Sequence, residues 1–143
     1  MHTLRKLETN DYNKGYLELL ENLTTVNKHL IKSDTFDIFV KGLHRDHMVY
    51  VIEHMDKIIA TGTILIEQKV IHGFGKVGHI EDIVVDPLYK GKQLGKLIVN
   101  SLTEYAKEQK CYKVILDCSD DVIGFYDKCG FKRKGSQMSL YFI

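Results

Sequence analysis

Ile80-Glu81-Asp82-Ile83-Val84-Val85-Asp86-Pro87-Leu88-Tyr89-Lys90-Gly91-Lys92-Gln93-Leu94-Gly95-Lys96-Leu97-Ile98 is the stretch from which the rest of the chain is read. Its first half is a β-rich run that closes at Asp86-Pro87, because proline lacks the N–H that a sheet ladder needs. Its second half changes period: Leu94, Leu97, Ile98, Leu102, Tyr105 and Ala106 form one helical stripe running toward Gln109. A short loop punctuated by Gly91 and Gly95 lies between the two. In a strand, glycine loop and helix, the unpaired N–H groups and the positive dipole end of the helix start gather at one point, a setting that binds phosphate. Glycine lets the backbone approach an anion closely, and Lys92 and Lys96 add positive charge. The spacing is not that of a nucleotide P-loop: Gly91 to Gly95-Lys96 is one residue too short, and Leu97 stands where a Ser or Thr would hold Mg²⁺. Nor is it the dinucleotide fingerprint, since Gln93 occupies a glycine position. From these residues alone the loop is either a phosphate cradle or a plain turn.

Upstream, Met48 to Met55 and Ile58 to Gln68 are β-rich runs joined by the hairpin signal Met55-Asp56-Lys57, and Gly78 to Asp86 is the next strand. Leu4 to Leu7 reads as a short strand. Tyr12, Tyr16, Leu19, Leu20 and Leu23 recur at helical spacing, and a second helix carries Phe36, Phe39, Val40 and Leu43 with Ser33 as its expected N-cap. Downstream, Tyr112 to Asp117 is an apolar strand. Ser119 is expected to cap a helix bearing Val122, Phe125, Tyr126 and Cys129, which Gly130 ends with Phe131 packing back as in a Schellman stop. Met138 to Ile143 reads as a final strand. The order β-α-α-β-β-β-α-β-α-β predicts an α/β fold with one central sheet, in a single domain over residues 1–143.

Composition narrows the function classes. The 143 residues suffice for a core without disulfides or metal. Twenty basic against nineteen acidic residues leave a formal net charge of +1, so nothing drives the chain toward nucleic acid or an anionic membrane. No apolar run approaches the about 18–20 residues of a membrane span, and Met1-His2-Thr3-Leu4-Arg5-Lys6 has no apolar signal core. Cys111, Cys118 and Cys129 are an odd set without a C-x-x-C pair, which predicts free thiols in a reducing, cytoplasmic setting. The seven histidines do not combine with cysteine at zinc spacing, so no metal is expected.

Val84 to Leu97 resembles the acetyl-CoA motif of the GNAT acetyltransferases, Q/R-x-x-G-x-G/A after a V-x-P-like strand end. Gly78-His79-Ile80-Glu81-Asp82-Ile83-Val84-Val85, Cys111-Tyr112-Lys113-Val114-Ile115-Leu116-Asp117-Cys118 and Phe125-Tyr126-Asp127-Lys128-Cys129-Gly130-Phe131 resemble, in order, blocks of the glucosamine 6-phosphate N-acetyltransferases. Leu23-Thr24-Thr25-Val26 and Glu67-Gln68-Lys69-Val70-Ile71-His72 extend the likeness toward the N-terminus. The resemblance implies the GNAT acyl-CoA N-acyltransferase fold, with a mixed, mostly antiparallel sheet flanked by helices. It also implies acetyl transfer to the amine of D-glucosamine 6-phosphate for UDP-N-acetylglucosamine synthesis, in a homodimer. Ile83, Val84 and Val85 would run beside the pantetheine arm, and Gly91, Lys92, Gln93, Leu94, Gly95 and Lys96 would hold the pyrophosphate. Tyr126, Asp127 and Lys128 would lie at the thioester end. The sugar phosphate would meet Thr24, Lys69, His72, Glu81, Asp82, Ile83, Tyr112, Lys113 and Asp117, some across the dimer. Three features depart from the family: Tyr141 stands where relatives carry a phosphate-binding arginine, Lys90 where Gln or Arg is typical, and Gln93 where glycine is.

The chemistry asks for the same kinds of groups. Acetyl transfer needs a neutral amine, a donor for the carbonyl oxygen and an acid for the thiolate. Asp82 and Asp117 are the candidates for orienting the ammonium, and Tyr126 for protonating sulfur. No cysteine has an evident base partner for an acyl-enzyme, which favours direct attack in a ternary complex. Each residue also has a plain structural reading: strand carboxylates and Lys69 or Lys113 as solvated charges, Tyr126 as a packed core tyrosine, the cysteines as small buried residues. Two rival functions keep the fold: an acetyltransferase for a polyamine or protein amine, and a non-catalytic acyl-CoA-binding domain.

Overall fold

Near-continuous apolar runs, buried on both faces, build the hairpin of β2 (His47–His54) against β3 (Lys57–Gln68). Met55 and Asp56 turn it, both with positive φ (51° and 60°), the mirror-type turn whose twist suits paired strands. The computed structural model describes all of residues 1–143. Its five-stranded sheet has the order β1-β2-β3-β4-β5, with β1 (Thr3–Lys6), β4 (Lys76–Val85) and β5 (Cys111–Ile115) completing it. All pairs are antiparallel except β4–β5, which the crossover helix α4 (Leu94–Glu108) makes parallel. The expected mixed, mostly antiparallel sheet is therefore what forms.

Alternation sends the buried residues to two faces. On one, Ile52, Ile59, Ile64 and Ile80 meet Ile98, Val99 and Leu102 of α4. On the other, Val49, Val51, Ile58 and Val84 meet Tyr16, Leu17 and Leu19 of α1 (Tyr16–Leu20) and Phe36 of α2 (Ser33–Lys41). The stripe from Tyr12 to Leu20 is not one helix: Gly15 (φ 81°) separates a 3-10 turn, Thr9–Lys14, from α1. Tyr12 and Tyr16 nevertheless both pack on Phe36, with ring centroids 5.7 Å apart in each case. Fully buried Asp11 is satisfied by a bidentate Arg5 guanidinium (2.8 and 2.9 Å) and the Glu8 N–H (2.8 Å). Arg5 and Lys14 in turn hold Glu53 of β2, whose carboxyl they draw below its usual range, Lys14 most strongly.

Three expectations need correction. Ser33 is not the cap of α2: Lys32 is extended and its carbonyl accepts the first helical bond, from Phe36, so Ser33 already lies inside the helix. Ser119 makes no side-chain cap; it precedes a 3-10 turn, Asp120–Val122, that leads into α5 (Ile123–Lys128). Met138–Ile143 is no strand, because no strand of this chain lies beside it to pair with, and Tyr141 and Phe142 stand 82% and 90% exposed. The Schellman stop is present: Phe131 N–H donates to Tyr126 O and Gly130 N–H to Asp127 O, both at 3.0 Å, with Gly130 at φ 93°.

Candidate active site

The site begins with an irregularity in β4. Thr61 faces Val84 and Thr63 faces Glu81, so Gly62 alone opposes both Asp82 and Ile83. That is a β-bulge, and Asp82 takes φ 54° to form it, a conformation that costs a non-glycine residue about 1–3 kcal/mol. A bulge bends its strand and sharpens the twist. Pairing with β5 accordingly stops at His79–Ile115, and the edge of β4 from Glu81 to Val85 faces no strand.

A cleft of about 1190 Å³ opens where the strands part. One wall is β4, with Glu81, Asp82, Ile83, Val84 and Val85; the other is Leu116, Asp117 and Cys118 beyond β5, with Phe125, Tyr126 and Lys128 of α5. Gly91, Gln93, Leu94, Gly95 and Lys96 close one end. There the first bond of α4 runs from Leu97 N–H to Gln93 O (3.1 Å), and the amides of Gly91 to Lys96 donate to no group of the chain. Gly91 (φ 83°) and Gln93 (φ 60°) turn the backbone into the helix, and Lys92 lies exposed on the loop. Asp86 anchors the loop from behind, accepting from Leu88 N–H and from Lys57, each at 2.9 Å; these contacts, Lys57 first, hold its carboxyl below the usual range. The loop thus leaves uncommitted donors on residues that line the cleft.

Three carboxylates share the middle of the cleft. Burial, then Asp82 and Asp117, push the Glu81 carboxyl up, so the trio concentrates negative potential that an ammonium would relieve. Tyr126 stands opposite β4. Its ring packs on Phe125 (4.9 Å) and Phe131 (6.0 Å), its hydroxyl makes no hydrogen bond within the chain, and burial raises its pKa. It is thus a packed tyrosine whose hydroxyl is protonated and uncommitted within the chain.

The remaining expected residues lie elsewhere. Tyr112, Lys113 and Asp127 line a second cleft of about 880 Å³, which shares Asp117, Cys118, Tyr126 and Cys129 with the first. His72 stacks on Tyr112 (4.2 Å), and Lys113 sits 5.7 Å from the same ring. Lys69 pairs with Glu67 (3.2 Å), which also binds His79 (2.9 Å). Lys69, His72, Tyr112 and Lys113 are therefore one group beside α3 (Ile71–Phe74), a turn in which His72, Gly73 and Phe74 are left-handed. Thr24 lines neither cleft, although its neighbour Leu23 lines the first. Sequence reasoning passed over Asn22, Leu23, Cys118, Phe125 and Gln137 as lining residues; Leu23, Cys118 and Phe125 belong to its matched blocks, but only the fold shows that they line the cleft.

The acetyltransferase (GNAT) family pattern matches residues 2–131. Over 144 residues the chain is 46% identical to glucosamine 6-phosphate N-acetyltransferase of Arabidopsis thaliana, covering 97% of this chain and 95% of that protein. It is equally 46% identical to the Candida albicans protein of the same name, over 99% and 96% of the two chains. The crystal structure of the Arabidopsis enzyme superposes with a TM-score of 0.96 at 44% identity, over 100% of this chain and 99% of that one. An acetyltransferase of Trypanosoma brucei superposes at 0.90 with 35% identity, over 99% and 100%. A sheet parted at a bulge, uncommitted amides at the mouth of the gap and relatives matched along almost the whole length agree: the chain belongs to the GNAT family of acetyltransferases.

Proposed function

We propose that the chain moves the acetyl group of acetyl-CoA to the amine of D-glucosamine 6-phosphate, giving N-acetylglucosamine 6-phosphate for UDP-N-acetylglucosamine synthesis. One observation carries this: the open edge of β4, the amides of Gly91 to Lys96, the carboxylates and Tyr126 all line one cleft. The relatives' shared name supplies the acceptor.

Acetyl-CoA supplies a thioester, whose carbonyl carbon is open to attack by an amine. Backbone groups of Ile83 to Val85 pair with its pantetheine amides, and the loop amides with Lys92 and Lys96 hold the pyrophosphate. Lys128 stands at the same cleft. Asp82 and Asp117 orient the acceptor's ammonium and pass one proton to water. The neutral nitrogen forms the new C–N bond in a ternary complex as the C–S bond breaks and Tyr126 gives its proton to the departing sulfur; the nitrogen then loses its second proton, which through water restores the Tyr126 phenol and leaves the amide and the free thiol.

The acceptor's phosphate needs cations, and the Lys69, His72, Tyr112 and Lys113 group is gathered outside the first cleft. In a homodimer such a group reaches the partner's site. The free edge of β5 and the exposed apolar side chains of Met138, Leu140, Tyr141 and Phe142 support that assembly. No helix is long and apolar enough to cross a membrane, and three free thiols suit a cytoplasmic setting. The carboxylate trio also suits a polyamine. Thiol release from acetyl-CoA, measured with glucosamine 6-phosphate, glucosamine, spermidine and a peptide, decides. The phosphorylated sugar should lead by at least about ten-fold in kcat/KM; a lead for spermidine would replace this acceptor.

A further inference from the structure

The bulge has an unusual partner. A side chain begun at Gly62 would put its Cβ 2.5 Å from Ile83 Cδ1, 2.5 Å from Ile98 Cγ2 and 3.0 Å from Leu102 Cδ1. Carbon atoms settle at about 3.5–4.0 Å, so no Cβ fits there without a displacement. The space is used instead by Ile83. Strict alternation along β4 would put residues 80, 82 and 84 on one face, yet Ile80, Ile83 and Val85 join the core under α4 while Val84 joins the opposite core. The parity change occurs at Asp82-Ile83, directly across from Gly62. Ile98 and Leu102 are fully buried in the middle of α4 and have nowhere to go, whereas Ile83 is only half-buried at the margin of the cleft. The side chain that yields to a Cβ is therefore that of Ile83.

We infer that Gly62 is a positioning residue for the coenzyme: by presenting no side chain it lets Ile83 lie on α4, which fixes the bulge and keeps the edge of β4 clear of β5. A Cβ at 62 drives Ile83 off α4, relaxes Asp82 toward ordinary strand angles and turns the edge of Ile83 to Val85 away from the cleft. The inference rests on the proposed binding of acetyl-CoA along that edge.

Titration calorimetry with coenzyme A, together with thermal melting, tests it on wild type, Gly62→Ala, Ile83→Val and the double variant. Gly62→Ala should weaken coenzyme A binding by about ten-fold or more. A merely destabilised protein would melt earlier while its folded fraction kept the wild-type Kd. Ile83→Val removes the Cδ1 that the new methyl meets but leaves Ile98 Cγ2 at 2.5 Å, so the double variant should regain part of the lost affinity, binding at least about three-fold more tightly than Gly62→Ala. An unchanged Kd in Gly62→Ala, or a weakened one that Ile83→Val does not improve, overturns the inference. If Gly62→Ala is insoluble, the double variant decides: soluble and binding, it supports the role, and insoluble or equally weak, it removes it. A wild type that does not bind coenzyme A sinks the coenzyme reading itself, a result distinct from all of these.

Discussion

Tyr126 shows how two meanings of one residue are reconciled. Its helical position made it a candidate core side chain, and its surroundings in Phe125-Tyr126-Asp127-Lys128 made it a candidate acid. The ring is packed between Phe125 and Phe131 while the hydroxyl is left without a partner at the cleft. Burial of the ring raises the phenol's pKa above its ordinary value, so the group stays protonated through neutral pH and any activity loss from its ionisation falls on the far alkaline side. Tyr126→Phe should preserve folding and coenzyme binding and lower kcat by about 10²–10⁴-fold, the usual contribution of a positioned acid. A kcat near wild type, with chemistry rate-limiting, would assign the hydroxyl a packing role only. Asp82 was legible as a strand carboxylate and a candidate for orienting the ammonium, but not as the residue that makes the bulge. Its left-handed φ depends on Gly62, twenty residues earlier in the chain, and no local pattern carries that information.

At the scale of elements, what was legible is what local chemistry decides. The hairpin turn at Met55-Asp56, the stripe of α4 and the stop at Gly130-Phe131 each follow from residues within a few positions of one another, and each formed. The misreadings have separate causes: the helix started one residue early, with Lys32 in the cap position before Ser33, and Met138–Ile143 is apolar like a strand but has no strand of this chain to pair with. The break in alternation at Ile80-Glu81-Asp82-Ile83 was the available sign of the bulge. The start of α4 gives a prediction of its own. A Cβ at Gly95 would lie 3.2 Å from Phe125 Cζ, so the start of this helix and α5 touch at the cleft that both line. Gly95→Val should raise the acetyl-CoA KM by about ten-fold or more, with a much smaller change in the sugar KM, because it crowds the pyrophosphate end first. Equal changes in both constants would mean the loop does not hold the coenzyme.

For the whole molecule the question is whether one chain holds a complete site. The basic and aromatic group around Lys69, His72, Tyr112 and Lys113 lies off the first cleft. If it serves the partner's acceptor, Lys69→Ala and Tyr126→Phe carry lesions contributed by different subunits. Refolding the two inactive variants together should then recover about a quarter of wild-type activity, since half of randomly assorted dimers are mixed and one of their two sites is intact. Recovery no greater than the sum of the separate variants would place both residues in the same chain's site. The bulge carries a different consequence. It forfeits ladder bonds between β4 and β5 and keeps Asp82 in a strained conformation, so at this point the sheet is less stable than its sequence could make it. Selection for heat resistance alone would favour replacements that restore alternation across Glu81 and Asp82, and each gain in melting temperature won there would come out of catalysis.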